Sequence, residues 1–127
     1  MTVPIGYQLA LPYERPPLTA NQRLHWRTRA ELTRMIRTAA AVRARNAKVP
    51  ALGCCAVRLV WTVTDRRRRD ADNLVPTLKA CADGLVDAGV VVDDIPELMT
   101  KHMPEIVRGD ALGLVLIVEP LAPEAAA

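Results

Sequence analysis

The spacing of apolar residues near the middle of the chain predicts a helix from about Asn73 to Ala88. These apolar residues recur at intervals of three and four: Leu74, Leu78, Cys81, Leu85 and Ala88. Pro76 fits only the first turn of such a helix, where its missing N–H costs nothing. That requirement fixes the helix start near Asp72–Asn73, two good capping residues, and Gly89 suits the C-cap.

An earlier helix is predicted from about Arg23 to Lys48, with Leu32, Ile36 and Ala39 on one face. The opposite face carries five arginines: Arg23, Arg27, Arg34, Arg37 and Arg45. Two interpretations stay open for this face. It is either an ordinary solvated surface or a DNA contact, because exposed helix faces usually interleave charges of both signs. His25 and Trp26, like His102, could also contact DNA, but a structural role is the commoner one for such residues.

Short apolar or alternating runs predict the strands. They are Tyr7–Leu11, Cys54–Thr64, Leu98–Val107 and Leu112–Glu119, with a short extended run at Val90–Val92. The last two strands look like a hairpin turned at Arg108–Asp110, and Pro104 marks the first of them as an edge or bulged strand. The predicted order is β-α-β-α-β-β. This order indicates an α/β, or α+β, fold in which two main helices cover one face of a small mixed sheet.

Length and composition favour one domain, predicted over residues 1–120 with a flexible tail at 121–127. The chain has 127 residues and no Phe, so its core must be aliphatic and rich in Ala. Three cysteines without C-x-x-C spacing indicate core positions in a reducing compartment. The longest apolar run, Ala111–Val118, is too short to cross a bilayer, and the N-terminus does not resemble a signal peptide. We therefore expect no membrane contact and a location in the cytoplasm.

The net charge of +3 hides a strong asymmetry. Residues 1–69 hold 14 Lys and Arg against 3 Asp and Glu, a net of +11. Residues 70–127 hold 3 against 11, a net of −8. A basic half suggests a polyanionic partner, and acidic residues beside a polyanion suit a divalent cation.

Basic and acidic residues lie side by side in the segment Asp65–Asn73, which reads DRRRRDADN. If the segment is extended, Asp70 and Asp72 point the same way, and two neighbouring carboxylates repel unless a cation lies between them. Mg²⁺ prefers such oxygen ligands and keeps positions for substrate phosphate. A D-x-D pair is common by chance, however, and Asp72 could simply cap the helix.

Three further features favour a metal-dependent phosphodiesterase. Asp93–Asp94 ends the short run after the second helix, where a β-α-β return can bring it beside Asp70, although an acidic turn is the simpler interpretation of the pair alone. Arg66–Arg69 could hold a DNA backbone next to the acids. Lys79 lies two helical turns beyond Asp72, away from the apolar stripe, and is either a solvated lysine or a group that offsets transition-state charge.

Taken together, Asp65–Asp94 resembles the signature of the RusA-type Holliday junction resolvases, which are common in phages and prophages. The matching stretch reads DRRRRDADNL…LKACADGLVDAGVVVDD, and LTANQRLHW and the last two strands match weakly. The segment LVPTL before Lys79 is about three residues longer than in the founding member, nearly one helical turn. Either Lys79 keeps its face one turn further on, or the helix starts later.

The resemblance implies a homodimer that uses Mg²⁺, or Mn²⁺, to make paired symmetric nicks in four-way DNA junctions during recombination and repair. By position, Asp70, Asp72 and Asp94 would be the catalytic metal-binding carboxylates, with Asp93 as a further metal neighbour and Lys79 as the catalytic lysine. The DNA-contacting set predicted with them is Arg66, Arg67, Arg68, Arg69, Asn73, Arg23, Arg27, Arg34 and Lys101. Such a protein would act in the cytoplasm of a bacterial host cell.

Three rival functions stay open at this point. A protein could bind branched DNA without cutting it, and a nicking assay separates that class. Another Mg²⁺-dependent phosphoryl hydrolase would not need the basic first half and would turn over small phosphate esters. A purely structural phage protein would show no response to Mg²⁺ in thermal melting.

Overall fold

The structure is a computed structural model that describes residues 6–122. Its elements follow the predicted order β-α-β-α-β-β, with the last-but-one strand divided in two. They are β1 (Tyr7–Ala10), α1 (Trp26–Asn46), β2 (Cys55–Val63), α2 (Val75–Asp87), β3 (Met99–Lys101), β4 (Glu105–Arg108) and β5 (Gly113–Pro120). A 3₁₀ turn, Ala71–Leu74, leads directly into α2. The fold class of a mixed sheet with two helices is confirmed.

Strand β2 is the centre of the sheet. Strand β5 pairs with it antiparallel on one side, and β1 pairs antiparallel with the outer edge of β5. On the other side β3 and β4 both run parallel to β2. In this register Leu59 of β2 stands opposite Leu116, which stands opposite Leu9, and all three are buried. One apolar layer therefore crosses the three strands.

The predicted hairpin between the last two strands is wrong. Strands β4 and β5 do not pair, because β2 lies between them. The link that joins them crosses the end of β2, where the Gly109 N–H donates to the Val63 carbonyl at 2.9 Å. It passes so close to β2 that a Cβ on Gly109 would approach Thr62 Cγ2 to 2.8 Å. A local turn signal cannot distinguish this crossing from a hairpin.

The edge of the sheet breaks at Pro104, as the sequence predicts. The His102 N–H still donates to the Val57 carbonyl at 3.0 Å, after which pairing with β2 stops until Glu105. Pro104 has no N–H to contribute and is buried. Strands β3 and β4 are therefore one interrupted edge.

The helices pack on each other and share one core with the inner face of the sheet. Helix α1 buries Ile36, Ala40, Ala41 and Ala44, so the buried stripe passes through Ala40 and not Ala39, which is only half-buried. These small side chains let the two backbones approach closely. At the closest point Gly84 of α2 faces the Arg37 carbonyl.

The predicted stripe of α2 is confirmed, but its start is not. Leu74, Leu78, Cys81 and Leu85 are buried, and Ala88 is half-buried. The α-helix begins at Val75 with Leu74 at its N-cap, and no side chain caps it. Neither Asp72 nor Asn73 therefore caps α2, because the preceding residues already turn as a 3₁₀ helix.

At the other end of α2, Gly89 has φ +79° and closes the helix as predicted. The Val90 N–H then donates to the Leu85 carbonyl at 3.0 Å. Val90–Val92 is therefore part of a turn and not an extended run. After this turn the chain runs back beside α2, so that Asp94 lies next to Lys79.

Two of the arginines predicted opposite the core are exposed but bind the end of α2. Arg37 donates to both carboxylate oxygens of Asp87, including Nη2 to Oδ1 at 2.7 Å, and Arg45 donates to the Asp87 carbonyl at 2.9 Å. These contacts join the end of α2 to α1. The two arginines bind α2 because the helices lie side by side, which the pattern of α1 alone does not indicate.

The Arg37–Asp87 pair predicts an acid-dependent loss of stability. Arg37 lowers the pKa of Asp87 below its ordinary 3.8 in the folded protein. A carboxylate whose folded pKa is depressed stabilises the fold above its unfolded pKa, and this stabilisation is lost as pH falls below that value. We expect Asp87→Asn to flatten the fall of Tm between about pH 5 and pH 2, by a small amount because the pair is half-exposed. Asp110→Asn, in an exposed turn, is the control and should leave the profile unchanged.

The three cysteines are free and buried, as predicted. Burial raises the pKa of Cys81 to about 12 and is the main cause that raises that of Cys55 to about 11, so both stay protonated. Within residues 6–122, no helix has the length and apolar character needed to span a membrane. Of the predicted tail, only Leu121 and Ala122 are described, and residues 123–127 lie outside the described range.

Candidate functional site

The arginine run follows the end of β2, and Asp65 organises part of it. Arg69 Nη1 lies 2.6 Å from Asp65 Oδ1, and the Arg67 N–H donates to the same oxygen at 3.1 Å. The Arg69 guanidinium also covers the Trp61 ring at 5.1 Å, which leaves its side chain only 19% exposed. The hydrogen bond from Arg69, with that from Arg67, lowers the pKa of Asp65 to about 2. Arg69 is therefore held in place, and Arg67 Nε also lies 3.8 Å from Asp65 Oδ2.

A basic groove forms where this run meets the N-terminal loop. Arg66 and Arg68 are exposed, and their side chains make no ion pair or hydrogen bond within residues 6–122. The groove is lined by Arg15, Trp61, Thr64, Asp65, Arg67, Arg68, Arg69 and Leu112. Trp61 Nε1 donates to the Glu14 carbonyl at 3.0 Å, which positions Arg15 beside the run. Sequence reasoning missed Arg15, because nothing in its local pattern indicates this long-range contact.

Asp70 and Asp72 lie on different local structures, so the prediction of one extended segment is wrong. Asp70 is extended, with φ −104° and ψ 126°, whereas Asp72 lies inside the 3₁₀ turn. Both side chains are exposed and make no hydrogen bond or ion pair in the described part of the chain. Both carboxylates are therefore available to a cation, and neither is used to cap a helix.

Asn73 contributes to the local structure through its backbone. Its N–H donates to the Asp70 carbonyl, and its own carbonyl accepts from the Ala20 N–H, both at 3.1 Å. Nearby, Thr77 Oγ1 donates to the Leu18 carbonyl at 2.7 Å in the buried interior. These bonds fix the N-terminal loop against the start of α2, next to the D-x-D pair.

Asp94 accepts hydrogen bonds from two lysines that come from different elements. Its Oδ2 lies 2.6 Å from Lys79 Nζ of α2 and 3.0 Å from Lys101 Nζ of β3. Lys101 also donates to the Asp94 carbonyl at 3.0 Å. The Asp94 side chain is only 15% exposed, and its hydrogen bonds, first from Lys79 and then from Lys101, lower its pKa to about 2. Asp94 is therefore ionised at any physiological pH.

Lys79 has a second acidic partner in Asp83, one turn further along α2, at 2.9 Å. The hydrogen bond to Asp83, which has the larger effect, and the hydrogen bond to Asp94 raise the pKa of Lys79. The lysine therefore stays cationic. The α-helix starts at Val75, after the 3₁₀ turn, and carries Lys79 at a position where it meets Asp94. Lys101, predicted only as a DNA contact, belongs to the same cluster, and no sequence spacing indicated it.

The four predicted metal-binding aspartates are not brought together as one group. Within residues 6–122, no set of three or more His, Cys, Asp or Glu side chains is close enough to hold a metal ion. Asp93 instead accepts the Asp94 N–H at 2.8 Å, which orients the turn. The carboxylate oxygens nevertheless fit Mg²⁺, which prefers oxygen ligands. Asp70 and Asp72 are available. Both lysines bind Asp94 through Oδ2, which leaves Oδ1 without a hydrogen bond in the described part of the chain.

The predicted DNA-contacting arginines near α1 are all exposed. Arg23 precedes the helix, Arg27 lies over the Trp26 ring with its Cζ at 5.2 Å, and Arg34 lines a shallow groove. This groove is distinct from the one around Arg67. The structure thus presents two basic surfaces.

A comparison with protein-family models and one with curated proteins find no match for this chain.

Proposed function

We propose that this protein is a Mg²⁺-dependent endonuclease that resolves four-way DNA junctions by paired nicks. The observation that supports this most is the contact between Lys79 and Asp94. These residues are 15 positions apart, and the resemblance names both as catalytic. An ionised carboxylate beside a cation, in a protein that also carries unengaged aspartates and an arginine run, suits phosphodiester hydrolysis.

Asp70, Asp72 and Asp94 would hold the ion, with Asp93 beside them, and their carboxylates would have to move together to do so. When bound, Mg²⁺ activates water and neutralises charge on the scissile phosphate. Mn²⁺, with similar oxygen preference, would serve as a substitute.

The chain's own residues supply orientation and charge. Lys79 is held cationic by Asp83 and Asp94, so it can offset negative charge that develops on the phosphate oxygens. Lys101 donates hydrogen bonds to both the carboxylate and the carbonyl of Asp94, and these two bonds orient the Asp94 side chain. The buried bond between Thr77 and Leu18 holds the start of α2 against the N-terminal loop, next to the D-x-D pair.

The basic surfaces would position the DNA. Phosphate contacts from Arg66, Arg67 and Arg68 carry no sequence information, so selectivity would come from the shape of the junction. A two-fold homodimer would match the near two-fold symmetry of a four-way junction and place one site on each cleaved strand. Such a protein would act in the cytoplasm of a bacterial host.

The test is incubation of purified protein with an end-labelled four-way junction and with a linear duplex of the same sequence, in Mg²⁺ and in EDTA. We expect nicks on the junction in Mg²⁺ and none on the duplex. Tight junction binding without nicks would instead assign the protein to branched-DNA binding. Turnover of a small phosphate ester with an intact junction would indicate another phosphoryl hydrolase.

Arg67→Ala with Arg68→Ala should weaken junction binding and flatten its salt dependence. Each lost phosphate contact lowers the slope of log K against log salt by about 0.9. Titrations across a series of salt concentrations measure the slope. Arg43→Ala with Lys48→Ala removes equal charge at the far end of α1 and should leave the slope unchanged. Equal slopes for both double variants would place Arg67 and Arg68 outside the DNA contact.

A further inference from the structure

We propose that Trp26 is a stacking platform for unpaired nucleobases. The side chain lies at the start of α1 and is 68% exposed, although tryptophan usually buries most of its surface. No residue from Trp26 to Met35 is fully buried, and among its hydrophobic side chains Leu32 alone packs against the core. The proposal rests on the proposed function and adds to it a site and a ligand class.

The neighbours of Trp26 hold it in a fixed orientation. The His25 ring stacks on it, with centroids 5.7 Å apart and planes inclined by 28°. His25 Nδ1 also accepts the Arg27 N–H at 3.2 Å, while the Arg27 guanidinium lies over the Trp26 ring at 5.2 Å. An exposed ring that is already ordered loses little entropy when a base stacks on it.

A basic groove continues from Trp26 along α1. It is lined by Trp26, Arg29, Ala30, Thr33, Arg34 and Arg37. Arg29 Nη1 is shielded from solvent and has no hydrogen-bond partner in the described part of the chain. This nitrogen is out of reach of a phosphate in the groove, but the exposed Arg34 in the same groove offers a cation that can contact one.

The chemistry of the surface selects its ligand. An aromatic ring that continues into arginines suits a strand that offers a base face and a phosphate in each unit. A duplex presents stacked bases that cannot reach the ring, so unpaired nucleotides are the better fit. A second copy of this chain fits poorly, because α1 carries six arginines and one glutamate and would repel itself. Opening of base pairs at the branch point of a junction would supply such bases.

The experiment follows tryptophan fluorescence in EDTA with a short oligo(dT) and with an abasic strand of the same length. Trp61→Phe removes the only other tryptophan, so all emission comes from Trp26. We expect oligo(dT) to quench this emission and the abasic strand to leave it nearly unchanged. In the wild-type background, Trp26→Ala should weaken oligo(dT) binding about 5- to 100-fold without altering abasic-strand binding, and Trp26→Phe should restore much of the loss.

Equal affinity of wild type and Trp26→Ala for oligo(dT) would overturn the proposal. Emission that changes with protein concentration and not with oligo(dT) would also overturn it and assign the surface to a second copy. The assay needs neither metal nor a junction. Base-dependent quenching by a protein that never nicks would therefore refute the proposed nuclease activity alone, and nicking without quenching would refute the stacking site alone.

Discussion

Asp94→Asn is expected to lower the rate of junction nicking by more than about 100-fold, because loss of a group that merely orients a metal ligand already costs about 10- to 100-fold. Asparagine keeps the size of the side chain but removes the charge that pairs with Lys79 and Lys101. Junction binding should persist, since the variant removes a negative charge near the DNA. Single-turnover nicking and equilibrium binding measure the two effects separately.

Asp110→Asn is the matched control. Asp110 lies in the exposed turn between β4 and β5, and its side chain makes no hydrogen bond or ion pair within residues 6–122. It should nick at the wild-type rate. Thermal unfolding of both variants separates a local effect from loss of the fold. Wild-type nicking by a folded Asp94→Asn protein would remove Asp94 from the catalytic site.

Gly84→Ala should lower the free energy of unfolding by about 3 kcal/mol, the upper part of the usual range for overpacking a core. A Cβ at this position would overlap the Arg37 carbonyl and come within 2.9 Å of Ala40 Cβ. Both obstacles belong to α1, one of them to its backbone, so a rotamer change cannot relieve the clash. The helices would have to separate along their shared core.

Urea denaturation measures this change, with Gly113→Ala as control. A Cβ on Gly113 would meet nothing within 4 Å, so that variant should stay within about 0.5 kcal/mol of the wild type. An equally small effect of Gly84→Ala would contradict the close approach of α1 and α2. Nicking by Gly84→Ala below its melting temperature should be retained, because Gly84 lies outside the candidate site.

Local patterns predicted the elements well because each depends on its own residues. The stripe of α2, the closure at Gly89 and the edge break at Pro104 all follow from side-chain spacing or backbone chemistry. The link from β4 to β5 does not, because its course depends on β2 lying between them. The start of α2 was predicted too early, since Asp72 and Asn73 are typical capping residues although both lie in a 3₁₀ turn.

The candidate site shows the same division. The D-x-D pair and the arginine run are contiguous, so their location could be predicted. Lys79 and Asp94 were candidates from their spacing, and the resemblance added their catalytic roles. The contacts of Lys101 with Asp94 and of Arg15 with the arginine run depend on distant segments that meet only in the fold. The exposure of Trp26 could not be predicted either. Helical spacing does not show which part of a helix extends past the hydrophobic core of the protein.

The most direct test of the central claim is a nicking time course on a four-way junction labelled on each strand in turn, with wild type and Asp70→Asn, in Mg²⁺ and in EDTA. The account predicts nicks at symmetric positions on two opposed strands, only for the wild type and only in Mg²⁺. Asp70→Asn should bind the junction and leave it intact. Nicks of equal rate with Asp70→Asn, or in EDTA, would contradict a metal-dependent nuclease built on these aspartates.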